Sequence, residues 1–200
     1  MRVRTHTNPL HFYRRLEPID FTAIWPSFDG KLDLEIGFGR GLFMRHYAKL
    51  HPERFIVGVE VRKLIVSLLE EHLQKEEIFN AHLVHSSAQF VMEDIVPDKS
   101  LERVFVFHPD PWFKKKHHKR RVINDDFLKV LSQKLVLGGK LYLSTDVQEL
   151  WEDMQFYLSE FGQFTPLDQD PFWETTYKTH WQQFSENDNR SRFTSTYVLG

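Results

Sequence analysis

The stretch Leu32-Asp33-Leu34-Glu35-Ile36-Gly37-Phe38-Gly39-Arg40-Gly41 moves from an alternating strand pattern into a glycine turn and then a helix. Leu42, Met44, Tyr47, Ala48 and Leu50 carry the helical spacing that follows, and Pro52 stops it. The same alternation then recurs. Phe55–Val59 reads as a second strand ending at Glu60, and Val61–Ile78 as an amphipathic helix with the stripe Leu64, Ile65, Leu68, Leu69, His72 and Leu73. His82–His85 is a third strand, Ala88–Ile95 a brief helix and Leu101–Phe107 a fourth strand. Asn124 is a fitting N-cap for a helix to Leu135 or Leu137, with Gly138-Gly139 as its break. Lys140–Ser144 is the fifth strand, leading into Thr145-Asp146, and Val147–Phe161 is helical.

Strands alternating with helices call for parallel pairing, because parallel neighbours need a crossover. The predicted fold is therefore α/β: a Rossmann-like, doubly wound, mostly parallel sheet with helices on both faces. The tail from Phe164 has no helical period. Its segments Gln163–Pro166 and Arg192–Leu199 suit an antiparallel C-terminal pair. Residues 1–30, interrupted by Pro9, Pro18 and Pro26, read as an arm and entry loop, and residues 31–200 as one domain.

The bulk numbers narrow the classes. Two hundred residues suffice for one filled α/β domain, and 41% hydrophobic with 27% charged residues is ordinary for a globular chain. No apolar run reaches the ~18–20 residues that span a bilayer, and the start Met1-Arg-Val-Arg-Thr-His-Thr lacks the apolar core of a secretory signal. The absence of cysteine excludes disulfides, thiolate nucleophiles and Cys-ligated metal, and it fits a reducing, cytoplasmic setting. No metal or membrane partner is expected, and the chain is read as a monomer or homodimer. A formal net charge of −2 is not that of a generally basic nucleic-acid binder. Such affinity would have to come from local clusters, at Lys114–Arg121 and more weakly at Arg2, Arg4, Arg14 and Arg15.

In an open parallel sheet ligands bind beyond the carboxyl ends of the strands. Polar residues collect at those ends here: Glu35, Glu60, Ser86-Ser87, Asp110 and Asp146. Gly37, Gly39 and Gly41 allow a tight turn and close backbone approach to a ligand. Their spacing differs from the Gly-x-Gly-x-x-Gly of dinucleotide sites, which counts against a nicotinamide-dependent oxidoreductase. Glu60, roughly 20 residues on, is placed to accept both hydroxyls of a ribose. Glu35 is an acid in an apolar strand, a place where acids are rare unless they line a site.

The fourth strand leads into His108-Pro109-Asp110-Pro111-Trp112-Phe113-Lys114-Lys115 and on through Arg121 with only basic side chains after Phe113. Proline fixes its own backbone angle and pushes the preceding residue toward extended geometry, so Asp110 is offered from a stiffened frame. Trp112 is either a platform for a nucleobase or a plug under the loop. The dense positive run repels itself unless an anion arrives, which suits a phosphate backbone.

Pro109-Asp-Pro-Trp-Phe-Lys-Lys-Lys-His-His-Lys-Arg-Arg121 resembles the signature loop of the bacterial tRNA (guanine-N7-)-methyltransferases, class I S-adenosylmethionine-dependent enzymes. Leu34–Gly41, Ile56–Val61, Leu137–Asp146 and the late Thr194 are similar to that family's motifs in the same order, over roughly residues 31–200. The resemblance implies S-adenosylmethionine as cofactor and tRNA as partner, with methyl transfer to N7 of a guanosine in the variable loop. It implies Asp110 as the catalytic acid, with Glu35, Gly37, Gly39, Gly41, Glu60 and Ser87 around the cofactor. Lys114, Lys119, Arg120, Arg121, Asp146, Thr194 and Tyr197 are implied on the tRNA side.

Three positions depart from the family pattern. His108 stands where Phe is usual, Ser87 replaces an acid on the adenine side, and Thr194-Ser-Thr-Tyr197 ends without the usual glutamate. Glu174 and Glu186 are candidate substitutes for it. An RNA-binding module of the same fold without the chemistry is the alternative that the missing glutamate supports.

Overall fold

A computed structural model describes residues 8, 9, 12, 15–176, 179 and 191–200. Glu186, Arg2, Arg4 and Arg14 lie outside the described residues. A seven-stranded sheet forms the centre, in the order β3-β2-β1-β4-β5-β7-β6. The strands are β1 (Leu32–Ile36), β2 (Ile56–Glu60), β3 (Ala81–His85), β4 (Leu101–Phe107), β5 (Leu135–Thr145), β6 (Phe164–Leu167) and β7 (Phe193–Leu199). The first five run parallel; β7 pairs antiparallel with both β5 and β6. The predicted doubly wound sheet and its antiparallel C-terminal strand are both present.

All five residues of β1 and of β2 are buried, as expected of central strands covered on both faces. One face carries α2 (Leu42–Leu50), α3 (Lys63–Lys75) and the short α7 (Phe172–Thr175). Aromatic rings fill much of this face. Phe43, Phe105, Phe107, Tyr142 and Phe172 pack ring against ring, with Tyr142 and Phe172 centroids 4.3 Å apart and Phe43 and Phe105 4.9 Å apart. Such pairs contribute about 0.5–1.5 kcal/mol each beyond the area they bury. The other face carries α1 (Phe21–Ile24), α4 (Ala88–Phe90) with the π-helical turn Val91–Ile95, α5 (Asp125–Lys134) and α6 (Gln148–Phe161). Phe21 and Trp25 are buried in that core, and the Trp25 indole N–H donates to the Phe79 carbonyl at 2.6 Å.

Several local expectations hold. The Asn124 side chain accepts from the Phe127 N–H at 3.0 Å and caps α5, with Asp125 and Asp126 in the favoured first turn. Others need correction. Gly138-Gly139 does not end a helix. α5 stops at Lys134 and β5 begins at once at Leu135, pairing with Leu101 before the register jumps to Arg103 and Lys140. The glycines sit in that irregularity, Gly138 at φ 78°, and the strand bulges past it with Leu137 exposed. The tail also contains a helical turn, α7, which its missing periodicity did not announce.

The amino ends of β1 and β4 are tied by a buried polar knot. The fully buried Asp33 carboxylate takes two bonds from the Arg54 guanidinium, at 2.6 and 2.7 Å, and one from the Tyr47 hydroxyl at 2.6 Å. Arg103 in turn donates to the Tyr47 oxygen at 2.9 Å. Removing one member of a buried pair leaves the other charge uncompensated. Arg54→Ala is expected to destabilise the fold by about 3 kcal/mol, read as a lower urea midpoint at unchanged m-value.

Candidate functional site

The order of strands reverses between β1 and β4, so the connections from their carboxyl ends diverge to opposite faces and leave a crevice. The chemistry-bearing residues gather at the rim. On the β1 side, Gly37, Gly39 and Gly41 all take positive φ, of 73°, 55° and 67°. These angles are costly for any residue with a Cβ. At Gly41 a Cβ would also lie 2.3 Å from the Leu69 side chain, so the turn lies against α3 with no room for a side chain. The turn is pinned from inside as well: the Gly37 N–H reaches the Val59 carbonyl at 2.8 Å and the Gly39 N–H the Glu60 carboxylate at 3.2 Å.

Glu35 and Glu60 point from neighbouring strands to the same face, each only 3% exposed. Burial, and then the nearby Glu60 charge, push the Glu35 carboxyl up to about 8. Its Oε2 has no hydrogen-bond partner among the described residues, and neither has the fully buried Ser86 hydroxyl at the end of β3. A buried acceptor without a donor is costly in a folded protein and fits a site that awaits a cationic ligand. Glu60 differs. It accepts from the Arg62 guanidinium at 2.9 and 2.7 Å and from the Arg62 N–H at 3.1 Å. Ser87 caps α4, its hydroxyl accepting from the Phe90 N–H at 3.4 Å.

Across the crevice, β4 delivers the proline-framed acid. Asp110 is exposed, and its charge acts on Arg62. A residue before proline is pushed toward extended geometry, yet His108, which precedes Pro109, has φ 48°. Tertiary contacts override the local preference. Its N–H is held by the Ser144 carbonyl at 2.7 Å, and its nearly buried ring stands 3.6 Å from the Asp146 carboxylate. Trp112 also takes a positive φ, of 47°, so two of the non-glycine residues in this conformation bracket Asp110. Trp112 belongs to neither core cluster. It is half-buried, with Arg120 4.8 Å above its ring and His117 at its edge.

The basic run folds into a 3-10 turn, Lys115–Arg120, which leaves Lys114, Lys115, Lys116 and Lys119 exposed together. Arg121 does not join them. It is 3% exposed, donates to the Pro111 carbonyl at 2.9 Å, and pairs with Glu149 at 2.7 Å and Asp153 at 3.2 Å on α6. Placed with the phosphate-binding residues in the sequence reading, it is a clamp between the loop and α6. Glu149 and Asp153 were missed, although acids four apart just past Asp146 are a readable helical face.

The C-terminal residues divide similarly. Thr194 pairs with Ser144 at the rim end of β5 and is partly exposed. Tyr197, three residues on, faces the opposite side of the sheet. It is buried in the α6-side core and its hydroxyl donates to Gln155, so it cannot replace a guanine-holding glutamate. Glu174 lies in α7.

A family model described as "Putative methyltransferase" matches residues 29–197. The tRNA (guanine-N(7)-)-methyltransferase of Thermosynechococcus vestitus is 34% identical over 82% of this chain and 78% of its own length. The chain belongs to the tRNA (guanine-N7-)-methyltransferase family. That of Nitrosococcus oceani is 37% identical over 75% of this chain and 63% of its own, and that of Marinobacter nauticus 41% identical over 63% and 53%. The chain thus spans from about half to about four fifths of the length of these relatives. Among solved structures the 16S rRNA methyltransferase KamB aligns at TM-score 0.66 and 14% identity over 90% of this chain and 92% of its own. A SAM-dependent methyltransferase from Aquifex aeolicus aligns at TM-score 0.57 and 14% identity over 86% and 83%. At such identities these two establish the methyltransferase fold. Among the described residues there is no cluster of three metal-ligating side chains and no helix long and apolar enough to cross a membrane.

The Glu35 geometry has a pH signature. A carboxyl whose folded pKa is raised from 4.5 to about 8 favours the folded state fully below the lower value, and that contribution is lost as pH rises through the upper one. In the unliganded protein Glu35→Gln is therefore expected to melt several degrees above the wild type at pH 9. The difference should shrink as the pH is lowered towards 5, as followed by circular dichroism.

Proposed function

We propose that this chain transfers a methyl group from S-adenosylmethionine to N7 of a guanosine in the variable loop of tRNA. The observation that carries the reading is the meeting at one rim of a buried carboxyl with one oxygen that no donor among the described residues reaches and an exposed, proline-framed acid backed by a lysine cluster. The first fits the cationic amino-acid end of the cofactor and the second a base on an RNA backbone. The names of the relatives agree with both halves.

The cofactor supplies an electrophilic methyl on a sulfonium. Glu35 would accept from its ammonium group, Glu60 from the ribose hydroxyls, and the glycine turn leaves room for its backbone-like tail. Ser87, without charge, can still accept from the adenine amine. On the other side Asp110 would hold the guanine N1–H and amino group. Guanine N7 has a lone pair and no proton to lose, so no strong base is needed. The lone pair forms the new C–N bond while the S–C pair stays with sulfur, and the positive charge passes to the purine. What the protein must supply is alignment of the three atoms and a fixed negative charge beside the developing cation. Asp146, held against His108, and Thr194 at the end of β7 would border the same base. Lys114, Lys119 and Arg120 would take phosphates.

Incubation with unmodified tRNA and labelled S-adenosylmethionine, followed by nucleoside mapping, should yield 7-methylguanosine in the variable loop. RNA binding without label would support the non-catalytic alternative instead. Asp110→Ala should lower kcat by about 10²-fold or more while leaving the S-adenosylhomocysteine Kd within about twofold. Loss of cofactor affinity in equal measure would contradict its assignment to the substrate half.

Changing Lys114, Lys115, Lys116 and Lys119 to Gln should flatten the dependence of log Kd for tRNA on log salt by about 2–3. An unchanged slope would remove the loop as the phosphate contact.

A further inference from the structure

Glu60 is already saturated. A carboxylate offers about four lone-pair directions. Here Oε1 accepts from the Arg62 backbone N–H at 3.1 Å and Nε at 2.9 Å, while Oε2 accepts from Arg62 Nη2 at 2.7 Å and the Gly39 N–H at 3.2 Å. Two of these donors are backbone and stay where the turn and strand place them. The other two belong to the Arg62 guanidinium, and they occupy one site on each oxygen. A ribose cis-diol would need the same pair of sites, one hydroxyl to each oxygen.

We propose that the Arg62 guanidinium is an internal stand-in for the ribose diol of the adenosyl ligand, and that the ligand binds by displacing it from Glu60. This rests on the reading of Glu60 as the ribose acceptor. Three features support the exchange. The Arg62 side chain is 40% exposed, so it can leave without opening the core. The bonds are charge-assisted and bidentate, strong enough to compete with two neutral hydroxyls. Asp110 supplies a second negative charge near enough to act on Arg62. In the unliganded protein Arg62 also neutralises Glu60 beside the buried Glu35, so the two acids tolerate one another until the cationic ligand arrives.

A competitor that holds the closed form lowers apparent affinity by the fraction of molecules it occupies. Arg62→Ala is therefore expected to bind S-adenosylhomocysteine about tenfold more tightly than the wild type, measured by isothermal titration calorimetry. Arg62→Lys, which keeps the charge and loses the fork, should fall between them. Arg62→Gln, which can still donate one bond, provides a second neutral variant should the alanine protein unfold. A merely structural arginine would give the opposite sign, because damage to the site weakens binding. Unchanged or weaker binding in the neutral variants, with the wild type binding normally, overturns the displacement alone. Absence of binding in the wild type and in all variants overturns the adenosyl-site reading, and the displacement with it.

Discussion

Negative charge without water is the constraint around which this protein is built. Glu35 and Glu60 end neighbouring strands, face the same side and are almost fully enclosed. Burial, and then the neighbouring Glu60 charge, make Glu35 resist ionisation. The surroundings answer the difficulty unequally. Glu60 receives the Gly39 amide and the Arg62 fork, whereas Glu35 keeps an oxygen without a donor. The glycine turn is shaped by this need as much as by close approach to a ligand, since three positive φ angles in five residues are what aim the Gly39 N–H at Glu60. The aromatic layer from α2, β4 and α7 packs against the same face of the sheet.

The basic run shows how one sequence cluster divides its labour. Four lysines project from a 3-10 turn into solvent, while Arg120 lies over Trp112 and Arg121 turns inward to Glu149 and Asp153. The inward arginine also holds the Pro111 carbonyl, one peptide from Asp110. The loop is thus anchored at its last basic residue and at the strand that precedes it, where His108 meets Ser144 and Asp146. Strain at His108 and Trp112 is sustained by those anchors rather than by the prolines alone.

Much of this was legible from periodicity. The five parallel strands, the polar residues at their ends and the Asn124 cap follow from rules that act over a few residues. The terminal strand pair could be read as a pair, though its insertion beside β5 could not. What escaped depends on where side chains arrive after folding. Nothing local distinguishes Arg121 from Lys119, since both sit in an unbroken positive run. The partner acids of Arg121 lie roughly 30 residues downstream, brought close by the β5–α6 crossover. Tyr197 was misplaced by a matter of parity: an odd offset from Thr194 along a strand reverses the face. Gly138-Gly139 looked like a helix stop because bulges and C-caps ask for the same residue.

The position of β7 has a consequence for how the molecule comes into being. It is the last strand in chain order, yet it lies inside the sheet between β5 and β6. While the chain emerges from a ribosome, the first five strands can assemble in order, but the outer edge of β5 stays unpaired and β6 has no neighbour until residues 193–199 arrive. A nascent chain therefore carries an open, apolar sheet edge for the whole time that the intervening residues are being made, a form prone to association. Thr194 and the wall it contributes arrive in the same step. Closure of the sheet and the arrival of Thr194 beside Ser144 are one event.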